Sequence, residues 1–74
     1  MIRTADALER VMDGGGLLRE TLIHDPEEKT IWTHAETGET VHGQAVRLLR
    51  SRRPFIGMSD GLFGEHQTYR IGPQ

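Results

Sequence analysis

Four arginines in the second half of the chain have the chemistry needed to hold phosphate groups. They are Arg47, Arg50, Arg53 and Arg70. The guanidinium group is planar, always charged, and donates two parallel hydrogen bonds to phosphate or carboxylate oxygens. Their clustering predicts a surface that contacts phosphates. The same surface would suit an acidic protein partner, so the residue types alone leave both partners open.

Charge is distributed unevenly between the two halves. Residues 1–40 carry four basic and nine acidic side chains, a net charge of −5, whereas residues 41–74 carry five arginines and two acids, a net charge of +3. This asymmetry predicts a basic face on the second half of the molecule. The alternative is that two solvated surfaces differ by chance.

A second candidate contact lies at Leu62 and Phe63, which are framed by Gly61 and Gly64. Two large apolar side chains at a loop tip either fold back into the core or are offered to a partner. As a partner site they would anchor a protein, a second copy of the chain, or a nucleic acid.

Catalytic and metal-binding patterns are weak. Neither serine, Ser51 or Ser59, lies in a Gly-x-Ser-x-Gly turn, and the chain has no cysteine. The adjacent pairs His24-Asp25 and Glu65-His66 would point to opposite faces of a strand, so neither pair could hold one ion. We therefore expect no catalytic site, no metal and no cofactor.

The length of 74 residues, 35% of them hydrophobic, predicts one small domain spanning residues 1–74. A domain of this size buries a small share of its surface, which makes a homodimer a reasonable expectation. The N-terminal residues show no apolar signal region, and no apolar run is long enough to cross a membrane. We expect a cytoplasmic protein.

The first half reads as a helix and two strands. Thr4 is a candidate N-cap for a helix over residues 5–13, and three consecutive glycines, 14–16, end it. Strand-like residues follow at 17–24 and 30–35, joined by a turn that contains Pro26. We expect a hairpin here, with a helix over residues 17–35 as the alternative. Trp32 is expected to pack in the core against the second helix.

The second half reads as a helix and a hairpin. Thr40 is predicted to cap a helix that ends near Arg50 or Ser51, before Pro54. Two strands follow, over residues 55–58 and 68–71, with a long tip between them. Helical spacing places one apolar stripe on this helix, formed by Val41, Ala45, Leu48 and Leu49. The fold class is therefore α+β in the order α-β-β-α-β-β, with two hairpins packed against two short helices.

The segment 40–71, a helix followed immediately by a hairpin, resembles the recognition helix and wing of winged helix-turn-helix proteins. This resemblance implies that Gln44, Arg47 and Arg50 face the major groove of DNA, and that Arg70 and the hairpin tip lie along the backbone or minor groove. Arginine pairing with guanine and glutamine pairing with adenine are the base contacts that it implies.

Two functions follow as hypotheses. The first is a non-catalytic nucleic-acid-binding or regulatory domain that contacts phosphates through Arg47, Arg50, Arg53 and Arg70. The second is a protein-interaction module, such as a phage-type inhibitor that covers a partner's surface, with Leu62 and Phe63 as anchors.

Overall fold

A computed structural model of the protein describes residues 1–58 and 66–73, which form a small α+β domain. Two helices pack on one face of a five-stranded antiparallel sheet. The helices are α1 (Ala5–Asp13) and α2 (Gly43–Arg52). The strands are β1 (Leu18–Ile23), β2 (Lys29–His34), β3 (Thr40–Val41), β4 (Phe55–Gly57) and β5 (His66–Ile71). None of the helices within the described residues is long and apolar enough to cross a membrane.

Helix α1 has the predicted bounds and caps. The Thr4 hydroxyl accepts a hydrogen bond from the amide of Ala7 at 3.1 Å, which satisfies one of the free amides of the first turn. After Asp13 the chain turns through the glycines, and Gly15 has a φ of +98°, a conformation that side chains with a Cβ rarely adopt. The predicted helix and its glycine terminator are confirmed.

The sheet has the strand order β3-β2-β1-β5-β4. Strands β1 and β2 form the predicted hairpin, with Leu18 opposite His34 and Ile23 opposite Lys29. This pairing rules out the alternative of a helix over residues 17–35. The second hairpin joins the first because β1 also pairs with β5, placing Leu18 opposite Tyr69.

The predicted order α-β-β-α-β-β is not confirmed, because a short strand lies between the first hairpin and α2. Thr40 and Val41 form this strand, β3, which pairs with β2. Thr40 therefore does not cap α2. His42 is the N-cap instead, and its Nδ1 accepts a hydrogen bond from the amide of Gln44 at 3.1 Å. On its other side, β3 meets the N-terminal segment, since the amide of Ile2 donates to the carbonyl of Thr40 at 2.9 Å.

The core lies between the helices and the sheet. Its side chains are apolar and at least nine-tenths buried: Ile2, Ala5, Leu8, Met12, Leu18, Val41, Ala45, Val46 and Leu49. The prediction for one member of the α2 stripe was wrong, because Leu48 is 44% exposed. Val46 is buried in its place, because the buried side of α2 packs against α1 and β2.

Alternation along the strands gives the sheet two chemically different faces. The helix-facing side carries Trp32, Phe55 and Tyr69, and we call the other side the outer face. The outer face carries Arg19 on β1 and Arg70 on β5, because each is the neighbour of a residue that faces the helices. Side chains on the two faces cannot contact the same small ligand.

Candidate nucleic-acid interface

Helix α2 is divided lengthwise into a buried side and an exposed side. Ala45, Val46 and Leu49 pack into the core, which fixes the rotation of the helix about its axis. Gln44 and Arg47 are consequently exposed on the outside of the helix. Their side chains interact one turn apart, with Arg47 Nη1 donating to Gln44 Oε1 at 3.1 Å. Two of the predicted contact residues therefore form one polar unit on the surface.

Arg50 lies one turn further along, over three aromatic rings. Its guanidinium carbon is 5.1 Å from the ring centre of Phe55, 5.7 Å from that of Tyr69 and 5.8 Å from that of Trp32. A guanidinium within about 6 Å of an aromatic ring centre is attracted by the electron-rich ring face. The rings thus orient Arg50, and no carboxylate oxygen of residues 1–58 or 66–73 lies within 4 Å of it.

The three rings form a continuous aromatic cluster on the helix-facing side of the sheet. Tyr69 is central, with its ring centre 6.3 Å from that of Trp32 and 6.0 Å from that of Phe55. The Tyr69 hydroxyl donates to Glu20 Oε1 at 3.0 Å. Burial, followed by the hydrogen bond to Glu20, raises the pKa of Tyr69 above its ordinary value. The tyrosine is therefore a neutral hydrogen-bond donor at physiological pH.

A surface cavity of about 210 Å³ adjoins this cluster. It is lined by Trp32, Gly43, Val46, Arg47 and Arg50. The indole and the valine supply apolar walls, and the two arginines supply positive charge. Gly43 leaves one side open, because a Cβ at that position would meet no atom within 4 Å.

Electrostatically, the arginines of α2 fall into two pairs. Arg47 and Arg50 have no carboxylate oxygen within 4 Å among the residues that the structure describes. Arg52 and Arg53, at the end of the helix, are both bound to carboxylates of α1. Only the first pair has positive charge available for a partner.

Arg52 and Arg53 join the two helices. Arg52 Nη1 lies 2.7 Å from Asp6 Oδ1, and Arg53 Nη1 lies 3.0 Å from both Glu9 Oε2 and Asp13 Oδ1. The hydrogen bond from Arg52, and then its charge, lower the pKa of Asp6 below its ordinary value. This network pairs three of the nine acidic side chains of residues 1–40, Asp6, Glu9 and Asp13, with two arginines.

Arg53 also ties α2 to the C-terminal strand. Its Nε and Nη2 donate to the carbonyl of Gly72 at 3.0 and 2.7 Å. With Glu9 and Asp13 also bound, the guanidinium has donors committed to three partners, and the side chain is only 11% exposed. The structure therefore places this predicted phosphate contact inside an intramolecular network.

Arg70 lies on the opposite side of the sheet from α2. It is opposite Ile56 in the β4–β5 ladder, whereas its neighbours Tyr69 and Ile71 face the helices. Arg70 shares the outer face with Arg19, which is opposite Thr68, two residues away on β5. Arg70 is exposed, but it does not share a surface with Arg47 and Arg50.

Leu62 and Phe63, the predicted partner anchors, lie outside the described residues. Within those residues, no group of three or more metal-binding side chains lies together. A second surface cavity lies beside α1 and is lined by Asp6, Glu9, Arg10 and Asp13. Its carboxylates are the ones that bind Arg52 and Arg53, so it belongs to the interhelical network.

The aromatic cluster was not predicted from the sequence as part of the site. Trp32 was expected in the core, and it does pack against the core while remaining half-buried. Alternation along the strands could have placed Trp32 and Tyr69 on a common face. Bringing them together also requires the pairing of β1 with β5, which has no local sequence signal.

Comparison of this chain with protein-family models, with curated proteins and with solved structures gave no match. The geometry of the surface formed by α2 and the aromatic cluster is therefore the basis for assigning a function.

Proposed function

We propose that this chain is a small, non-catalytic nucleic-acid-binding domain whose contact surface comprises Gln44, Arg47, Arg50 and Trp32. One observation carries the proposal: two arginines without carboxylate partners in the described structure lie beside an aromatic cluster and an open cavity. Arginine supplies phosphate contacts, and aromatic rings supply stacking surfaces for bases.

The separation of charges within the molecule supports this choice. The chain is weakly acidic overall, which would oppose binding to a polyanion. Three carboxylates of α1, however, face the end of α2 and bind Arg52 and Arg53. Most of their negative charge is thereby compensated locally, and neither Arg47 nor Arg50 takes part in that network.

The winged-helix resemblance enters the proposal only in part. Helix α2 is followed by β4 and β5, as a recognition helix is followed by a wing, but a three-stranded segment precedes it. Because Arg70 of β5 points away from α2, the helix and this arginine would not contact one stretch of duplex together. The proposal therefore rests on α2 and Trp32, and it does not require a wing.

The alternative, a protein-interaction module, keeps Leu62 and Phe63 as its proposed anchors. Those residues lie outside the described structure. The described residues that support the nucleic-acid proposal are Arg47, Arg50 and Trp32. An acidic protein partner would use the same two arginines and is distinguished by the experiments below.

The test is a binding titration at several salt concentrations between about 50 and 200 mM, with labelled duplex and single-stranded oligonucleotides. Each arginine that contacts a phosphate contributes roughly one unit to the slope of log affinity against log salt. We expect Arg47→Ala/Arg50→Ala to weaken binding and reduce this slope by about two.

Arg52→Gln is the matched control, because it removes an arginine of the same helix that is already bound to Asp6. We expect its slope to equal that of the wild type. Absence of binding to either oligonucleotide at low salt would refute the proposed function.

A further inference from the structure

We infer that the cavity beside Trp32 receives one unstacked base of a single-stranded nucleic acid, with Arg47 and Arg50 holding the neighbouring phosphates. This inference rests on the proposed function and specifies its ligand. It follows from the composition of the cavity, its size, and the directions in which the arginines of the molecule face.

The cavity combines the two kinds of surface that a nucleotide presents. The half-buried indole of Trp32 provides an apolar wall for a planar base, whereas Val46, at 3% exposure, contributes little surface. Arg47 and Arg50 stand at its margin with no carboxylate within 4 Å in the described part of the chain. A guanidinium plane is itself a stacking surface for bases, so Arg50 can contact a base as well as a phosphate.

The cavity has room for a single ring system. At about 210 Å³, the cavity is smaller than the roughly 300–1,000 Å³ typical of sites for free drug-sized ligands or cofactors. A small cavity that holds only one base needs further contacts along the strand for useful affinity. The exposed row formed by Gln44 and Arg47 provides such contacts beside the opening.

Single-stranded nucleic acid fits this surface better than a duplex. In a duplex the base faces are stacked and only their edges are accessible in the grooves, so an indole wall has no base face to contact. In a single strand the bases can turn outward and stack on aromatic side chains. A winged helix contacts a duplex through both its recognition helix and its wing. Arg70, the arginine expected on the wing, lies on the outer face and cannot contact the same duplex as α2.

Trp32 is the only tryptophan of the chain, so its fluorescence reports directly on the cavity. The experiment titrates the full-length protein with an oligothymidine of about a dozen nucleotides, and with an abasic strand of equal length that has phosphates but no bases. We expect the oligothymidine to change the Trp32 emission and to bind about 5- to 150-fold more tightly than the abasic strand.

Gly43→Leu is the decisive variant, because replacing Trp32 would also disturb the core. Gly43 lines the cavity, and a Cβ there meets no atom within 4 Å, so a larger side chain can be added at the cavity rim without displacing its neighbours. We expect Gly43→Leu to abolish the fluorescence change and to reduce oligothymidine affinity to that of the abasic strand. Gly43→Ala, which fills less of the cavity, is the graded control.

The outcomes separate this inference from the proposed function. Equal binding of oligothymidine and abasic strands without a change in Trp32 emission would overturn the inference and leave phosphate binding intact. Wild-type behaviour of Gly43→Leu would overturn it as well. Binding of neither strand nor duplex at low salt would overturn both. Tighter binding of polyglutamate than of oligothymidine would overturn both and identify an acidic protein as the partner class.

Discussion

Arg52 Nη1 lies 2.7 Å from Asp6 Oδ1, which joins the last turn of α2 to the first turn of α1 across 46 residues of sequence. The neighbouring Arg53 continues this connection through Glu9 and Asp13. These contacts divide the basic helix into a structural end and an end whose charge is available to a partner. The division leads to separate predictions for stability and for binding.

Arg53→Ala, at the C-cap of α2, is expected to lower the melting temperature more than any single arginine replacement within the helix. It removes the ion pairs with Glu9 and Asp13 and leaves the carbonyl of Gly72 without its two guanidinium donors. Thermal unfolding followed by circular dichroism measures the effect. Arg53→Lys keeps a charge near the carboxylates but loses the planar fork, so an intermediate melting temperature is expected. A melting temperature equal to that of the wild type in Arg53→Ala would contradict the assigned role.

The contribution of Asp6 to stability should depend on pH. Because Arg52 lowers the pKa of Asp6 in the folded state, the carboxylate stabilises the fold above its ordinary pKa of 3.8, and this stabilisation disappears as the pH falls through the lowered value. We expect Asp6→Asn to melt at a lower temperature than the wild type at pH 7. The difference should shrink at acidic pH below 3.8. A difference that is constant with pH would show that the ion pair is not its cause.

Gly16→Ala is expected to destabilise the fold by about 1–3 kcal/mol through overpacking. An added Cβ would lie 2.7 Å from Val11 Cγ1, 2.8 Å from the Val11 carbonyl oxygen and 3.0 Å from His34 Nε2. Chemical denaturation measures the change. Gly43→Ala is the matched control, since its Cβ meets no neighbour, and it should be neutral or stabilising by up to about 1 kcal/mol. Equal stability of the two variants would contradict the packing described at Gly16.

Leu48 and Leu49 are adjacent in sequence but differ in their contribution to stability. Leu49 is fully buried, so Leu49→Ala should cost about 2–5 kcal/mol, whereas Leu48→Ala should cost less than about 0.5 kcal/mol because Leu48 is 44% exposed. Urea unfolding of both variants tests the rotation of α2. Similar losses in the two variants would mean that the helix presents a different side to the core.

Local signals in the sequence were sufficient to predict α1 and the first hairpin. Thr4 and the three glycines delimit α1, and β-branched and apolar residues mark both strands of the hairpin. Strand β3 was not predicted, because a strand of two residues is too short to show the alternation of apolar and polar side chains that identifies a strand. Its absence from the prediction shifted the expected cap of α2 from His42 to Thr40 and helped to misplace the buried stripe.

The candidate site was predictable only where it depends on a single helix. Exposure of Gln44, Arg47 and Arg50 follows from helical spacing and is seen in the structure. Arg53 is unavailable to a partner because it is hydrogen-bonded to Glu9, Asp13 and Gly72, which are distant in sequence. The face of the sheet on which Arg70 lies depends on the strand register. Such long-range relationships have no signature within a short window of residues.

The most direct test of the central claim compares two double variants that each remove two positive charges, from opposite faces of the molecule. Arg47→Ala/Arg50→Ala changes the α2 surface, and Arg19→Ala/Arg70→Ala changes the outer face of the sheet. The measurement is fluorescence polarisation with a labelled single-stranded oligonucleotide at about 50 mM salt. We predict a loss of about tenfold or more for the first variant and a much smaller loss for the second. A loss in Arg19→Ala/Arg70→Ala that equals or exceeds the loss in Arg47→Ala/Arg50→Ala would contradict this assignment of the contact surface.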